Sequence, residues 1–314
     1  MTVHRLETTP PPDLGLALAT FEAQFSYPLG PTSAFRISHG DDYCRFFRAI
    51  GRAACFVAED RGEVLGTVAV VIRRLGRPDG SEQTAAYLAD LKVAPRARGG
   101  RTVFRLAAAA QSWAAAMTDT AFSIVMDGTR ATPPAYTGRV GIPAFREVAK
   151  VLVLRVPVEP SGRATGGWES DATRAERRFR ELSHGRYGTI GGAPHQRSEA
   201  APRWLLHPDG TACGLLEDTR RGKRLLASDG SELRSAHLSY FAFTTPRAGA
   251  QLVREARRLC VERGDPALFV PVAEPDGRSI LVDLDDPATV VAPATIYGVN
   301  LETGKLWNVN TSEI

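Results

Sequence analysis

The chain has 314 residues, 43% of them hydrophobic and 24% charged, with a formal net charge of +4. These proportions describe a globular chain with a sizeable core and exclude a disordered or collagenous one; the mild basic excess, without a groove-reading motif, suits a small anionic ligand rather than a nucleic acid. No run is apolar and long enough to span a bilayer. The first residues lack the apolar core of a signal peptide, and Cys44, Cys55, Cys213 and Cys260 show no metal-ligand spacing, so reduced thiols in a cytoplasmic protein without a metal are expected.

In chain order, residues 3–7 read as a first strand that Pro10-Pro11-Pro12 ends. Asp13 caps a predicted helix to about residue 25, and Asp41 or Asp42 a second one to residue 48. Residues 54–59 and 64–73 are β-rich around Asp60-Arg61-Gly62 and form a hairpin. Glu59 and Asp60 fall at its turn and are expected in solvent. An apolar run follows at 85–93, then Pro95, which cannot donate to a ladder. Next come Arg98-Gly99-Gly100-Arg101 and an alanine-rich helix over 103–117. A strand at 122–126, a short helix at 134–139 and a strand at 148–156 complete the first half. Residues 157–203 read as a linker, with glycines and prolines around a charged helix at 171–182 and a loop-like stretch at 188–202.

The second half repeats the first. Asp79-Gly80-Ser81-Glu82 recurs as Asp229-Gly230-Ser231-Glu232, and Pro95-Arg96-Ala97 as Pro246-Arg247-Ala248. A strand precedes the second motif at 236–243; a helix at 249–263 and a strand at 267–272 follow it. Gly214 corresponds to Gly66. The charges of Glu255-Ala256-Arg257-Arg258 read as a solvated face, and residues 295–301 and 305–309 as a closing hairpin around Thr303-Gly304.

The turn after residue 93 carries the chemistry. A strand that delivers the chain into the N-terminus of a helix presents free N–H groups and a partial positive charge. Glycines admit close approach, and Arg98 and Arg101 add charge, a setting for a pyrophosphate. The run Leu91-x-Val93-x-Pro95-x-x-Arg98-Gly99 resembles motif A of the GCN5-related N-acetyltransferase (GNAT) superfamily, whose loop pattern is Arg/Gln-x-x-Gly-x-Gly/Ala. Here the two small positions hold Arg101 and Val103. The second half has lost the loop, running Gly249-Ala250-Gln251-Leu252.

The resemblance implies an α/β (α+β) chain of two tandem GNAT-like domains, each a mixed, mostly antiparallel twisted sheet flanked by helices. Residues 1–157 would be the acyl-CoA-binding domain, 158–203 a linker and 204–314 a degenerate copy. It implies an N-acyltransferase moving an acyl group, acetyl in the first instance, from acyl-CoA to the amine of a small molecule or peptide. A non-catalytic acyl-CoA-binding protein is the alternative, and autoinducer-type acyl transfer a third reading. Leu91, Val93, Arg98, Gly99, Gly100, Arg101, Thr102 and Val103 would hold acyl-CoA. Tyr136, in the stretch 135–142, would protonate the leaving thiolate, as a tyrosine of the family does from its last helix. Asp90 and Asp127 are the carboxylates placed to take a proton or bind a cation, or else solvated strand-end acids or capping groups, and Asp90 is the catalytic candidate of the two. His237, on the second copy's strand, is expected to be structural.

Overall fold

A computed structural model describes residues 1–29, 33–129, 131–139, 141–159 and 167–314. The first half contains β1 (Thr2–Leu6), α1 (Pro12–Glu22), β2 (Tyr27–Leu29), β3 (Ser33–Ser38), α2 (Arg45–Arg48), β4 (Arg52–Asp60), β5 (Glu63–Gly76), β6 (Glu82–Val93), α3 (Thr102–Ala114), β7 (Ala121–Met126) and β8 (Arg146–Pro157). The second contains α4 (Ala172–Leu182), β9 (Arg186–Ile190), α5 (Pro194–Arg197), β10 (Arg203–Leu206), β11 (Ala212–Glu217), β12 (Arg224–Ala227), β13 (Ala236–Phe243), α6 (Pro246–Arg263), β14 (Ala267–Ala273), α7 (Glu274–Leu284), β15 (Val290–Val299) and β16 (Leu306–Asn308). The fold is mixed α/β, mostly antiparallel, as expected.

The two expected sheets are one. The ladder runs β1-β4-β5-β6-β7-β15-β8-β14-β13-β11-β10. Strand β8 follows β7 in the chain but does not pair with it, because β15 lies between them. Strand β15 likewise follows β14, and β8 lies between that pair. Each half thus lends one strand, β8 or β15, to the other. The expected closing hairpin does not form: β15 belongs to the central ladder, and β16 pairs in parallel with β9.

The stretch 188–202 is also not a loop. It completes β9, which adds to the end of β5, and forms α5. The expected linker residues 160–166 lie outside the described residues. The helix over 41–48 shrinks to α2, and the helix at 134–139 is a single 3-10 turn, Pro133–Ala135. The repetition extends to helix lengths, since α1 and α4 have 11 residues each and α2 and α5 have 4 each.

Side-chain spacing explains how the helices seat. Leu106, Ala110 and Ala114, four apart on α3, bury one stripe against Phe56, Val68 and Val70. Helix α6 does the same with Leu252, Ala256 and Leu259 over the second half. A Cβ on Gly66 would come within 3.0 Å of Leu106, and one on Gly214 within 3.0 Å of Leu252. Each glycine lets a helix close onto its sheet. Glu255 is not on a solvated face; it is buried and bound by Arg258. All four cysteines are buried and unpaired. No described helix is long and apolar enough to cross a membrane.

Candidate functional site

In the β5–β6 ladder Thr67 faces Lys92 and Ala69 faces Ala89. Asp90 and Leu91 therefore stand opposite Val68 alone, which is a bulge. Asp90 takes a φ of 53°, in the left-handed region that residues with a Cβ enter rarely and Asp more readily than most. On its other edge β6 pairs with β7 only at Ala86–Ala121 and Tyr87–Phe122. Beyond that β7 follows β15 and β6 bends away, so among the described residues no strand lies beside the edge of β6 from Leu88 to Val93. The second half repeats the geometry. Tyr240 and Phe241 bulge opposite Gly214, Tyr240 has a φ of 50°, and β13 pairs with β14 at only two positions.

The open edge leads to the basic turn. A 3-10 turn at Pro95–Ala97 is followed by exposed Arg98, Gly99 and Gly100, with Gly99 at a φ of 77°. Helix α3 then begins at Thr102 without a side-chain cap. Its first N–H groups are thus left for an external acceptor. Thr102 is buried and Val103 half-buried, so these two offer backbone rather than side chains, while Arg101 is exposed. Arg139 joins from the turn before β8, its guanidinium 5.3 Å from the Phe104 ring. The sequence reading missed this third cation, because thirty-odd residues separate it from the loop.

Behind the bulge is a buried polar cluster. Lys92 Nζ lies 2.7 Å from Asp90 Oδ1 and 3.5 Å from Glu22 Oε1. The Tyr43 hydroxyl donates to Asp90 Oδ2 at 2.5 Å. His39 Nδ1 meets Glu22 Oε1 at 2.5 Å, and the His39 N–H donates to Glu22 Oε2 at 3.1 Å. Burial alone would raise the Asp90 pKa, but the Lys92 charge, His39 and the hydrogen bonds from Lys92 and Tyr43 bring it down to about 2. Burial pushes the Tyr27 hydroxyl, beside Lys92, up to about 12. Glu22, His39 and Asp90 atoms lie within 4.8 Å of one another, a spacing open to a metal; the Lys92 ammonium already supplies positive charge there.

These contacts bear on the expected role of Asp90. A free strand-end carboxylate could take up a proton; this one is a counter-ion with its hydrogen bonds committed. Glu22, His39, Tyr43 and Lys92 gave no sequence signal as a group, since they converge only through tertiary packing. Lys223 arrives from the second half, with its ammonium 4.5 Å from the Phe46 ring and donating to the Ile314 backbone oxygen at 2.5 Å. Asp127 accepts from Thr295 at 2.8 Å and ties β7 to β15. Glu59 binds His4 at 2.8 Å, and Asp60 pairs with the N-terminal ammonium at 2.7 Å. His237 is buried and hydrogen-bonded to Thr311 at 3.1 Å.

Tyr136 ends the 3-10 turn, half-buried. Burial, with Tyr297 adding to it, pushes its hydroxyl up to about 12. The hydroxyl has no hydrogen-bond partner among the described residues. Val140, within the stretch that suggested the tyrosine's role, lies outside them.

The sequence matches no family model and no curated protein. The fold matches solved structures. Saccharomyces cerevisiae N-myristoyltransferase, crystallised with bound myristoyl-CoA, superposes with a TM-score of 0.62 at 12% identity, over 99% of this chain and 82% of that one. A GCN5-related N-acetyltransferase from Anabaena variabilis superposes with a TM-score of 0.53 at 10% identity, over 95% of this chain and 72% of that one. The chain has the GNAT fold.

Proposed function

We propose that the chain is an acyltransferase that takes an acyl group from acyl-CoA, acetyl in the simplest case, and delivers it to a primary amine of a small molecule or peptide. The observation that carries this reading is one continuous feature: the bulge at Asp90–Leu91, the unpaired edge of β6 and the uncapped start of α3 lie in succession. The fold neighbours crystallised with myristoyl-CoA support it.

In this reading the N–H groups of Gly99, Gly100, Arg101, Thr102 and Val103 take the pyrophosphate, with Arg98, Arg101 and Arg139 around it. The amide-bearing arm of the acyl-CoA lies along the open edge at Leu91 and Val93. The amine nitrogen attacks the thioester carbon, and a bulge N–H receives the oxyanion. The C–S bond then breaks, leaving an amide and a thiolate. Tyr136 supplies the thiolate's proton; its raised pKa keeps it protonated at neutral pH, as an acid requires. Asp90 stays ionised and acts by position, fixing Lys92 and the bulge. The amine's proton passes to solvent or to another group. Residues 1–157 form the acyl-CoA unit, and the second unit begins at Ala172 rather than 204, because α4 and α5 repeat α1 and α2.

One observation favours non-catalytic acyl-CoA binding, namely that the candidate carboxylate Asp90 is held by Lys92 and Tyr43. Thiol release from acetyl- and myristoyl-CoA across a panel of amines separates the two. Amine-dependent release is the expected result. Binding without release selects the second reading, and neither binding nor release contradicts both.

A further inference from the structure

The second half contains a cavity that the acyl-transfer reading does not use. It has a volume of about 90 Å³ and lies against the β13 bulge. Its floor is Phe179, Trp204, Leu215 and Tyr240. The Tyr240 ring meets Phe179 edge-on at 5.3 Å and Trp204 at 5.4 Å. The Tyr240 hydroxyl donates to the Gly191 carbonyl, which anchors the ring and engages its polar end.

The mouth carries both signs of charge. Arg74 and Arg180 line it, and both face Glu82, at 3.2 and 3.7 Å. Two guanidiniums share one carboxylate, so that group keeps one positive charge. Arg74 also stands 3.9 Å from the point where Gly191 would carry a Cβ. Glu176, exposed on α4, contributes the negative charge. The cavity is remote from the acyl-CoA loop: Arg74 lies seven residues along β5 from Thr67, about 23 Å at the usual strand rise.

We propose that this cavity is a second ligand site, for a free α-amino acid with a compact apolar side chain. The side chain occupies the aromatic floor, the carboxylate meets Arg74 and Arg180, and the ammonium meets Glu176. The volume limits the buried part to a few carbon atoms, since a cavity of about 150 Å³ holds benzene.

Saturation-transfer NMR on the full chain without acyl-CoA tests this, so failure here does not bear on acyl transfer. The probes are L-valine, L-leucine, isovalerate and isopentylamine. Valine or leucine should bind at least ten-fold more tightly than isovalerate or isopentylamine. Arg74→Gln combined with Arg180→Gln should abolish the advantage over isopentylamine, and Glu176→Gln the advantage over isovalerate. These three side chains are exposed, so the variants retain the fold. No saturable binding of either amino acid overturns the site. Equal binding of a singly charged analogue, or binding that all variants leave unchanged, overturns its assignment to amino acids.

Discussion

Asp90 and Lys92 show what a buried ion pair contributes. Neither charge is stable alone in an apolar setting, and removing one partner leaves the other uncompensated. Lys92→Met should therefore destabilise the chain by about 3–5 kcal/mol. Pairing it with Asp90→Asn should recover much of that loss, which denaturant titration of the three variants will show. The pH dependence follows from the same pair. The Asp90 pKa is depressed in the folded state, from 3.8 to about 2. Its contribution is present above the unfolded value and is lost as pH falls through the folded one. Stability should drop between about pH 4 and 2, and Asp90→Asn should flatten that part of the melting profile. A slope that persists unchanged in the variant assigns the loss to other carboxylates. For Tyr136 the expectation is kinetic. Tyr136→Phe removes only the hydroxyl, so acyl-CoA affinity should hold while kcat falls by roughly ten-fold to a thousand-fold. Unchanged turnover with chemistry rate-limiting makes Tyr136 a packing residue.

At the level of elements, the exchange of β8 and β15 makes each half incomplete. Residues 1–157 alone would expose the edge of β7 and both edges of β8, a template for aggregation. That fragment should not purify as a folded monomer, whereas co-expression with residues 158–314 should yield a complex; a well-folded isolated fragment contradicts the exchange. The exchange was not legible in the sequence, because strand partners more than a hundred residues apart leave no local mark. The strand-turn-helix around Pro95 was legible because its signals are local: an apolar run, a proline, two glycines and an alanine-rich stripe. The cluster behind it was not. Glu22 and His39 lie far from Asp90 in the chain, and each alone reads as an ordinary polar residue. The glycines and prolines around β9 and α5 concealed elements that tertiary pairing forms. The repeat was visible as short shared motifs, but its first helices were not, since α1 and α4 share length rather than sequence.

Across the whole molecule, the two halves meet over a buried ionic network. Arg197 binds Glu217 through two hydrogen bonds at 2.8 and 2.9 Å, Ser312 donates to Glu217 at 2.8 Å, and Glu313 pairs with both Arg73 and Arg197. Trp307 stacks on Tyr187 with the ring centroids 4.7 Å apart. Segments from 73 to 313 are tied together here, so the second half supports the first, although it has no counterpart of Arg98-Gly99-Gly100. The asymmetry gives a definite stoichiometry, because among the described residues only the β6–α3 junction combines an open edge, glycines and three nearby arginines. Calorimetric titration of the full chain with acetyl-CoA, repeated on Arg98→Ala combined with Arg101→Ala, is the most direct measurement. One site per chain is predicted, weakened at least ten-fold in the double variant by the loss of charge-assisted contacts. Two equivalent sites, or a single site that the double variant leaves unchanged, would contradict the assignment of acyl-CoA to that junction.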